Sequence, residues 1–266
     1  MSSIGNRTLS STWKSLLRIN DDTNGIDTNL ETVTDGEGTV SAISLSDDRL
    51  AVQPQVHDTT TTFRVNDKDA NALLTVDAAN DVVKLGVGQH YANTNIKQFS
   101  LFAGTAAPST ADTWTGLQST GNTKSIAVLT NGTGSTPATT LTIDGSTIIA
   151  STTTMYYWYV PFNITIDACN VWFGADANTG DVVKFSVMSY DIDKSNGSTG
   201  GDLSSGVENC VSPATITGAG DEQMYYQQLT ISSANVDGGD VITAWVAQDG
   251  TNSDLSVNLQ LVYHLR

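Results

Sequence analysis

Leu255–Arg266 reads LSVNLQLVYHLR. Leu255, Val257, Leu259, Leu261, Tyr263 and Leu265 alternate with Ser256, Asn258, Gln260, Val262, His264 and Arg266, so a period of two is held to the end of the chain. Successive side chains of a strand point to opposite faces, and this alternation therefore describes a β-strand with one face packed and the other wet. Upstream, five further segments carry strand signals: TMYYWYVPF from Thr154, ITIDACNVWF from Ile164, DVVKFSVMSY from Asp181, EQMYYQQLTI from Glu222 and DVITAWVAQ from Asp240. Pro213 and glycine-rich turns separate several of them. Regularly spaced strands without a long helical pattern predict an antiparallel β-sandwich of jelly-roll type over residues 151–266. The only helix expected is a turn around Thr12–Leu17.

Closer to the N-terminus, strand-length pieces are short and turns frequent. TTFRV (Thr61–Val65), ALLTVD (Ala72–Asp77) and VVKLGV (Val82–Val87) are separated by NDKDAN and AAND, a hairpin or meander pattern. Such a meander has too little apolar mass to fold alone, and three copies pooling their apolar faces about an axis would supply it. The expectation is an all-β chain with an extended, trimeric N-terminal meander followed by the sandwich. Thr105–Pro137 is rich in Thr, Gly, Ser and Ala around one apolar island, Ile126–Leu129, a composition that suits a connector. The predicted divisions are thus 1–53, a meander over 54–104, a connector over 105–150 and the sandwich over 151–266.

The chain has 266 residues with 39% hydrophobic side chains, enough for one large or two modest cores. Its formal charge of -16, with 12 Lys and Arg, removes the electrostatic footprint of nucleic-acid binding. The opening MSSIGNRTLSST is polar, and no run of eighteen apolar residues occurs. A chain made in a cytoplasm, without membrane insertion, is expected. Cys169 and Cys210 lack metal-site or disulfide-scaffold spacing and read as buried free thiols.

STWKSLLRINDDTNGIDTNLETVTDGEGTVSAISLSDDRLAVQPQ, followed by TTFRVNDKDANALLTVDAANDVVKLGVG, resembles the start of virion structural proteins of tailed bacteriophages, notably marine ones. The resemblance covers roughly the first 90 residues, and ALLTVDAANDVVKLGVG is similar to the strand and turn repeats of trimeric fibre stalks. It implies a non-enzymatic protein on the virion surface, made in the bacterial host and anchored through residues 1–53 to the major capsid protein or another virion protein. Such a homotrimer would be a capsid decoration, cement protein or head fibre. The alternative it implies is a tail fibre or tail-tip adhesin that recognises a host surface glycan.

Candidate chemistry is sparse. Asn20–Glu31, NDDTNGIDTNLE, approaches the calcium-loop pattern, with Asn20, Asp22 and Asn24 as oxygen ligands, Gly25 at the sharp turn and Glu31 as the closing carboxylate. The flanking segments are β-like and an Asn holds the first position, so a solvated turn is the favoured reading and calcium the minor one. Asp191–Asp202 reads as an exposed loop between two strands, able to connect them or to touch a receptor. Tyr156–Tyr159, Trp172, Phe173, Tyr225, Tyr226 and Trp245 suit either a sugar-stacking platform or, with greater weight, the core and interfaces. His57, His90 and His264 stand in no catalytic motif, and no cofactor is called for.

Overall fold

The structure, a computed structural model, describes residues 16–21, 23–86, 90–101, 112–119, 128–145, 148, 150–175, 182–212, 216–217, 223–248 and 255–266. The expected all-β class is observed: antiparallel sheets throughout, and a single helical turn at Ala150–Thr153 among the described residues. The predicted turn around Thr12–Leu17 falls largely on residues 12–15, outside the described set. The chain divides into two units, Met1–Ala92 and Asn93–Arg266.

The first unit contains two four-stranded sheets. In one, β1 (Arg18–Ile19), β2 (Glu31–Thr34), β3 (Val40–Leu45) and β4 (Leu50–Val52) pair in chain order; in the other, β5 (Phe63–Asn66), β6 (Ala72–Asp77), β7 (Val82–Leu85) and β8 (His90–Tyr91) do the same. Aspartates close the hairpins. Asp35 Oδ1 accepts from the backbone N–H groups of Glu37 and Thr39, and Asp67 Oδ1 from those of Asp69 and Asn71. Asp77 holds the Asn80 amide and the Lys84 ammonium. These aspartates are turn chemistry: short carboxylates satisfy backbone donors that no ladder can reach.

The second unit is a jelly roll. Its first sheet orders β17 (Gln223–Gln228), β13 (Ile164–Ala175), β21 (Ser256–Leu265) and β9 (Asn95–Leu101), with β19 (Asn235–Val236) beside β13. The second orders β11 (Thr130–Thr133), β10 (Thr113–Leu117), β20 (Val241–Gln248), β14 (Val182–Ile192), β15 (Leu203–Val211) and β18 (Thr230–Ile231), with β12 (Trp158–Tyr159) on β20 and β16 (Ile216–Thr217) on β14. Along the chain the main strands are β9, β10, β13, β14, β15, β17, β20 and β21. The first pairs with the last, the second with the seventh, the third with the sixth and the fourth with the fifth. That nested pairing is one long double ribbon rolled into two facing sheets, the two-Greek-key order of a jelly roll.

The sandwich therefore begins at Asn93, not at residue 151, and the predicted divisions need correction. β9 falls within the expected meander of residues 54–104, yet it pairs with β21 over Asn95–Leu101. Residues 105–150 are not a plain connector either. Their described parts supply β10, β11 and a strap whose Leu129 and Leu141 are buried. Leu141 exchanges both backbone hydrogen bonds with Leu203, at 2.8 and 2.9 Å.

This strap gives the unit two cores. Phe99, Val171, Phe173, Leu259 and Leu261 of the first sheet meet Phe185, Val187, Ile242, Ala244 and Val246 of the second. On the far side of the second sheet, Trp114, Tyr190 and Trp245 are covered by Leu129, Leu141 and Tyr156. β20 lies between the cores and is buried at every residue of VITAWVAQ, which explains its unbroken apolar run. Close approach of the strap requires glycine beneath it. A β-carbon at Gly206 would meet Tyr190 Cε1 at 2.5 Å and Thr139 Cα at 2.8 Å. Asn131 Nδ2 donates to Tyr190 Oη, which in turn donates to the Ala138 carbonyl, and burial pushes the Tyr190 phenol well above its ordinary pKa.

Candidate binding face of the jelly roll

Strand alternation turns Cys169, Val171 and Phe173 of β13 into the core and leaves Asn170 and Trp172 on the outer face. Register does the rest. Trp172 stands opposite Tyr226 on one side and Asn258 on the other, and Asn258 stands opposite Ser100, so one row crosses all four strands. Two residues along, Gln228, Asn170, Gln260 and Gln98 form a second row. With neighbouring strands about 4.8 Å apart, each row spans about 14 Å. The eight positions hold amides, a hydroxyl and two aromatic rings, and carry no carboxylate, ammonium or guanidinium.

The aromatic pair is fixed in place. The Trp172 and Tyr226 rings lie 5.0 Å apart at 47°, and Tyr226 Oη donates to Asn170 Oδ1 at 3.0 Å. Both remain open to solvent, 36% for Trp172 and 55% for Tyr226. Shallow depressions flank the rows: one lined by Trp172, Met224 and Ser256, the other by Lys97, Gln98, Gln118 and Ser119, meeting at Ser100 and Asn258.

Apart from Tyr159, the other aromatics of the candidate set pack in or against the cores. Tyr156, Phe173 and Trp245 are buried, Tyr225 stacks on Phe173 at 5.3 Å, and Trp158 packs 5.0 Å from Tyr263. Tyr159 is exposed beneath the Lys194 ammonium, 5.7 Å from its ring centre. The adjacent pairs Trp172–Phe173 and Tyr225–Tyr226 divide between inside and outside as alternation demands. What the sequence could not show is the β13–β17 register that sets Trp172 beside Tyr226.

The Asn20–Glu31 stretch is the connection of the β1–β2 hairpin. Asp21, one position off the calcium pattern, organises it. Its Oδ1 accepts from the Asn24 and Thr23 N–H groups and its Oδ2 from the Asn24 amide; these bonds, the Asn24 backbone bond foremost, hold its carboxyl below the ordinary carboxylate range. Gly25 has φ of 69°, the left-handed turn conformation glycine adopts freely. Asn20 donates its backbone N–H to Thr32, Glu31 lies in β2 opposite Leu45, and Asp22 lies outside the described residues. Among the described residues no three His, Cys, Asp or Glu side chains converge as a metal site would require.

Asp193–Asp202 joins β14 to β15 and is closed internally. Asp193 accepts from the Ser195 N–H and, at 2.6 Å, from Thr199 Oγ1, and these bonds, that from Thr199 first, hold its carboxyl low. Asp202 Oδ1 accepts the Ile143 N–H and so ties this hairpin to the strap. His264 Nδ1 lies 2.9 Å from both Asp167 oxygens, at the β13 bulge, and as the carboxylate can only accept, Nδ1 carries the shared proton. The pair bridges β21 to β13. His57 is exposed, and the side chain of His90 lies outside the described set. Cys169 and Cys210 are free thiols, fully buried in the core from opposite sheets; their mutual contact and their burial push the Cys169 thiol well above its usual pKa.

No protein-family model matches the chain, and no curated protein matches it in sequence.

Proposed function

We propose that the protein is a non-enzymatic structural component of a tailed-phage virion surface, a homotrimer that decorates the capsid as a cement protein or head fibre. In this reading the N-terminal region anchors to the major capsid protein or another virion protein, and the jelly roll is displayed outward. The resemblance of the first 90 residues supports the class, and one structural observation supports the trimer. Phe63 and Val65 of β5, Leu74 and Val76 of β6, and Val83 and Leu85 of β7 stand opposite one another across the ladder and share one face. On that face Val65 is 42% and Leu85 45% exposed, whereas Thr75 and Asp77 on the other face are 4% and 1% exposed. A sheet that leaves Phe63, Val65, Val83 and Leu85 open on one continuous apolar face calls for a cover. Two further copies in a closed ring supply the same cover to every chain.

Beside the β1–β4 sheet, Leu17, Ile19, Val33, Ile43 and Leu45, with Arg18, line an open groove. A receptor-binding tail fibre or tail-tip adhesin is the second reading, favoured by the exposed Trp172–Tyr226 pair.

Antibody raised against residues 93–266 and imaged on intact particles by electron microscopy tests the proposal. Label over the head is the expected result. Label confined to the tail selects the second reading, and particles without label reject both.

A further inference from the structure

We infer that the outer face of the β17-β13-β21-β9 sheet is a binding site for a neutral polysaccharide chain, with Trp172 and Tyr226 as the stacking platform and Asn258, Gln260 and Gln98 as the hydrogen-bonding strip. This goes beyond the virion role, since a head decoration and a tail fibre would use such a site alike.

Three features select the ligand class. A pyranose ring presents an apolar C–H face edged with hydroxyls, and an exposed, immobilised aromatic pair offers a matching surface without a large ordering cost on binding. Tyr226 is already held by Asn170, and Trp172 by its contact with Tyr226. Beside the rings, each Asn or Gln amide both donates and accepts, as a sugar hydroxyl does. Gln98 and Asn258 are exposed and Gln260 half-buried, and none of the three is engaged by another described side chain. Finally, the two rows lack any cation to pair with a uronate, sulfate or phosphate, the Lys97 ammonium lining the adjoining depression is taken up at 2.7 Å by the Ser119 carbonyl, and the chain carries a net charge of -16. Anionic glycans are therefore repelled, and neutral ones meet no electrostatic penalty.

The geometry also sets the direction of the chain. Tyr226, Trp172, Asn258 and Ser100 run across the strands, and the two flanking depressions meet at Asn258 and Ser100. An oligosaccharide lying across the strands stacks at the Trp172 end and hydrogen-bonds at the Ser100 end.

Affinity electrophoresis of the full chain in native gels cast with laminarin, barley β-glucan, galactomannan or dextran, with alginate as the anionic comparison, reads the site directly. At least one neutral polysaccharide should retard the wild type, and alginate should not. Trp172→Ala should weaken the retardation by about tenfold or more, as expected for an aromatic anchor. Asn258→Asp, which places a charge on an exposed strip position and leaves the core untouched, should weaken it without changing the melting temperature. Retardation by none of the four neutral polymers, retardation that survives Trp172→Ala, or equal retardation by alginate overturns the inference. Conversion of the assembly to monomers by Trp172→Ala overturns it too, because the face would then be an interface between copies. Failure of glycan binding with an intact trimer leaves the virion proposal standing.

Discussion

The β-carbon that Gly116 lacks would lie 2.8 Å from Cδ1 of Tyr156. Gly116 belongs to β10 and donates its N–H to the Leu129 carbonyl of the strap, and its missing side chain is what allows Tyr156 to close over the second core. Gly116→Val forces Tyr156 or the strand to move. The expected cost is about 1–3 kcal/mol, the range for overpacking a filled site. Chemical denaturation followed by tryptophan fluorescence reads it, since Trp114 and Trp245 lie in the same cluster.

Leu141→Ala separates a structural strap from a connector. Leu141 is buried in the second core and bridged to Leu203, and its truncation is expected to cost about 2–5 kcal/mol. A true connector residue would change stability by about 0.5 kcal/mol or less.

Acid should loosen the turns. The carboxyls of Asp21, Asp35, Asp67, Asp77 and Asp193 are all held below the ordinary value of 3.8 by hydrogen bonds. A folded-state pKa below the unfolded one gives stabilisation that is fully present above the unfolded value and is lost as pH falls through the folded one. Melting temperature should therefore hold steady from neutrality down to about pH 5 and decline progressively below about pH 4. Asp67→Asn should lower the melting temperature at neutral pH and flatten the acid limb, because it removes one of the titrating acceptors.

Assembly through apolar faces should resist salt. Hydrophobic contact does not depend on ion pairing, so size-exclusion elution should be unchanged at molar sodium chloride. Val65→Asp, which puts a charge on the shared face of β5–β7, should dissociate the assembly while leaving the melting transition of the jelly roll in place. Dissociation of the wild type by salt would contradict the apolar account.

The alternation in Leu255–Arg266 is enough to place a strand with a buried and a wet face, whereas β20 is buried on both faces and shows no alternation, and TMYYWYVPF, expected to be a strand, supplies only the two residues of β12 after a helical turn. Residues 105–150 were opaque for a physical reason. A strap that lies flush on a sheet uses small residues for close approach and needs only a few apolar anchors, such as Leu129 and Leu141, so its composition matches that of a connector. The binding face was half legible. Alternation separates Trp172 from Phe173 and Tyr226 from Tyr225, but the pairing of Trp172 with Tyr226 and Asn258 is a matter of register between strands distant in sequence, which composition does not encode. The calcium-like spacing of Asn20–Glu31 hid the side chain that organises the turn, Asp21, because hairpin turns and cation loops draw on the same short oxygen-bearing residues.

The central claim is that Phe63, Val65, Leu74, Val76, Val83 and Leu85 are covered by two further copies of the same chain. Native mass spectrometry of the full chain at low micromolar concentration tests it most directly. The account predicts a species of three times 28.1 kDa, and a sole species at 28.1 kDa would contradict it.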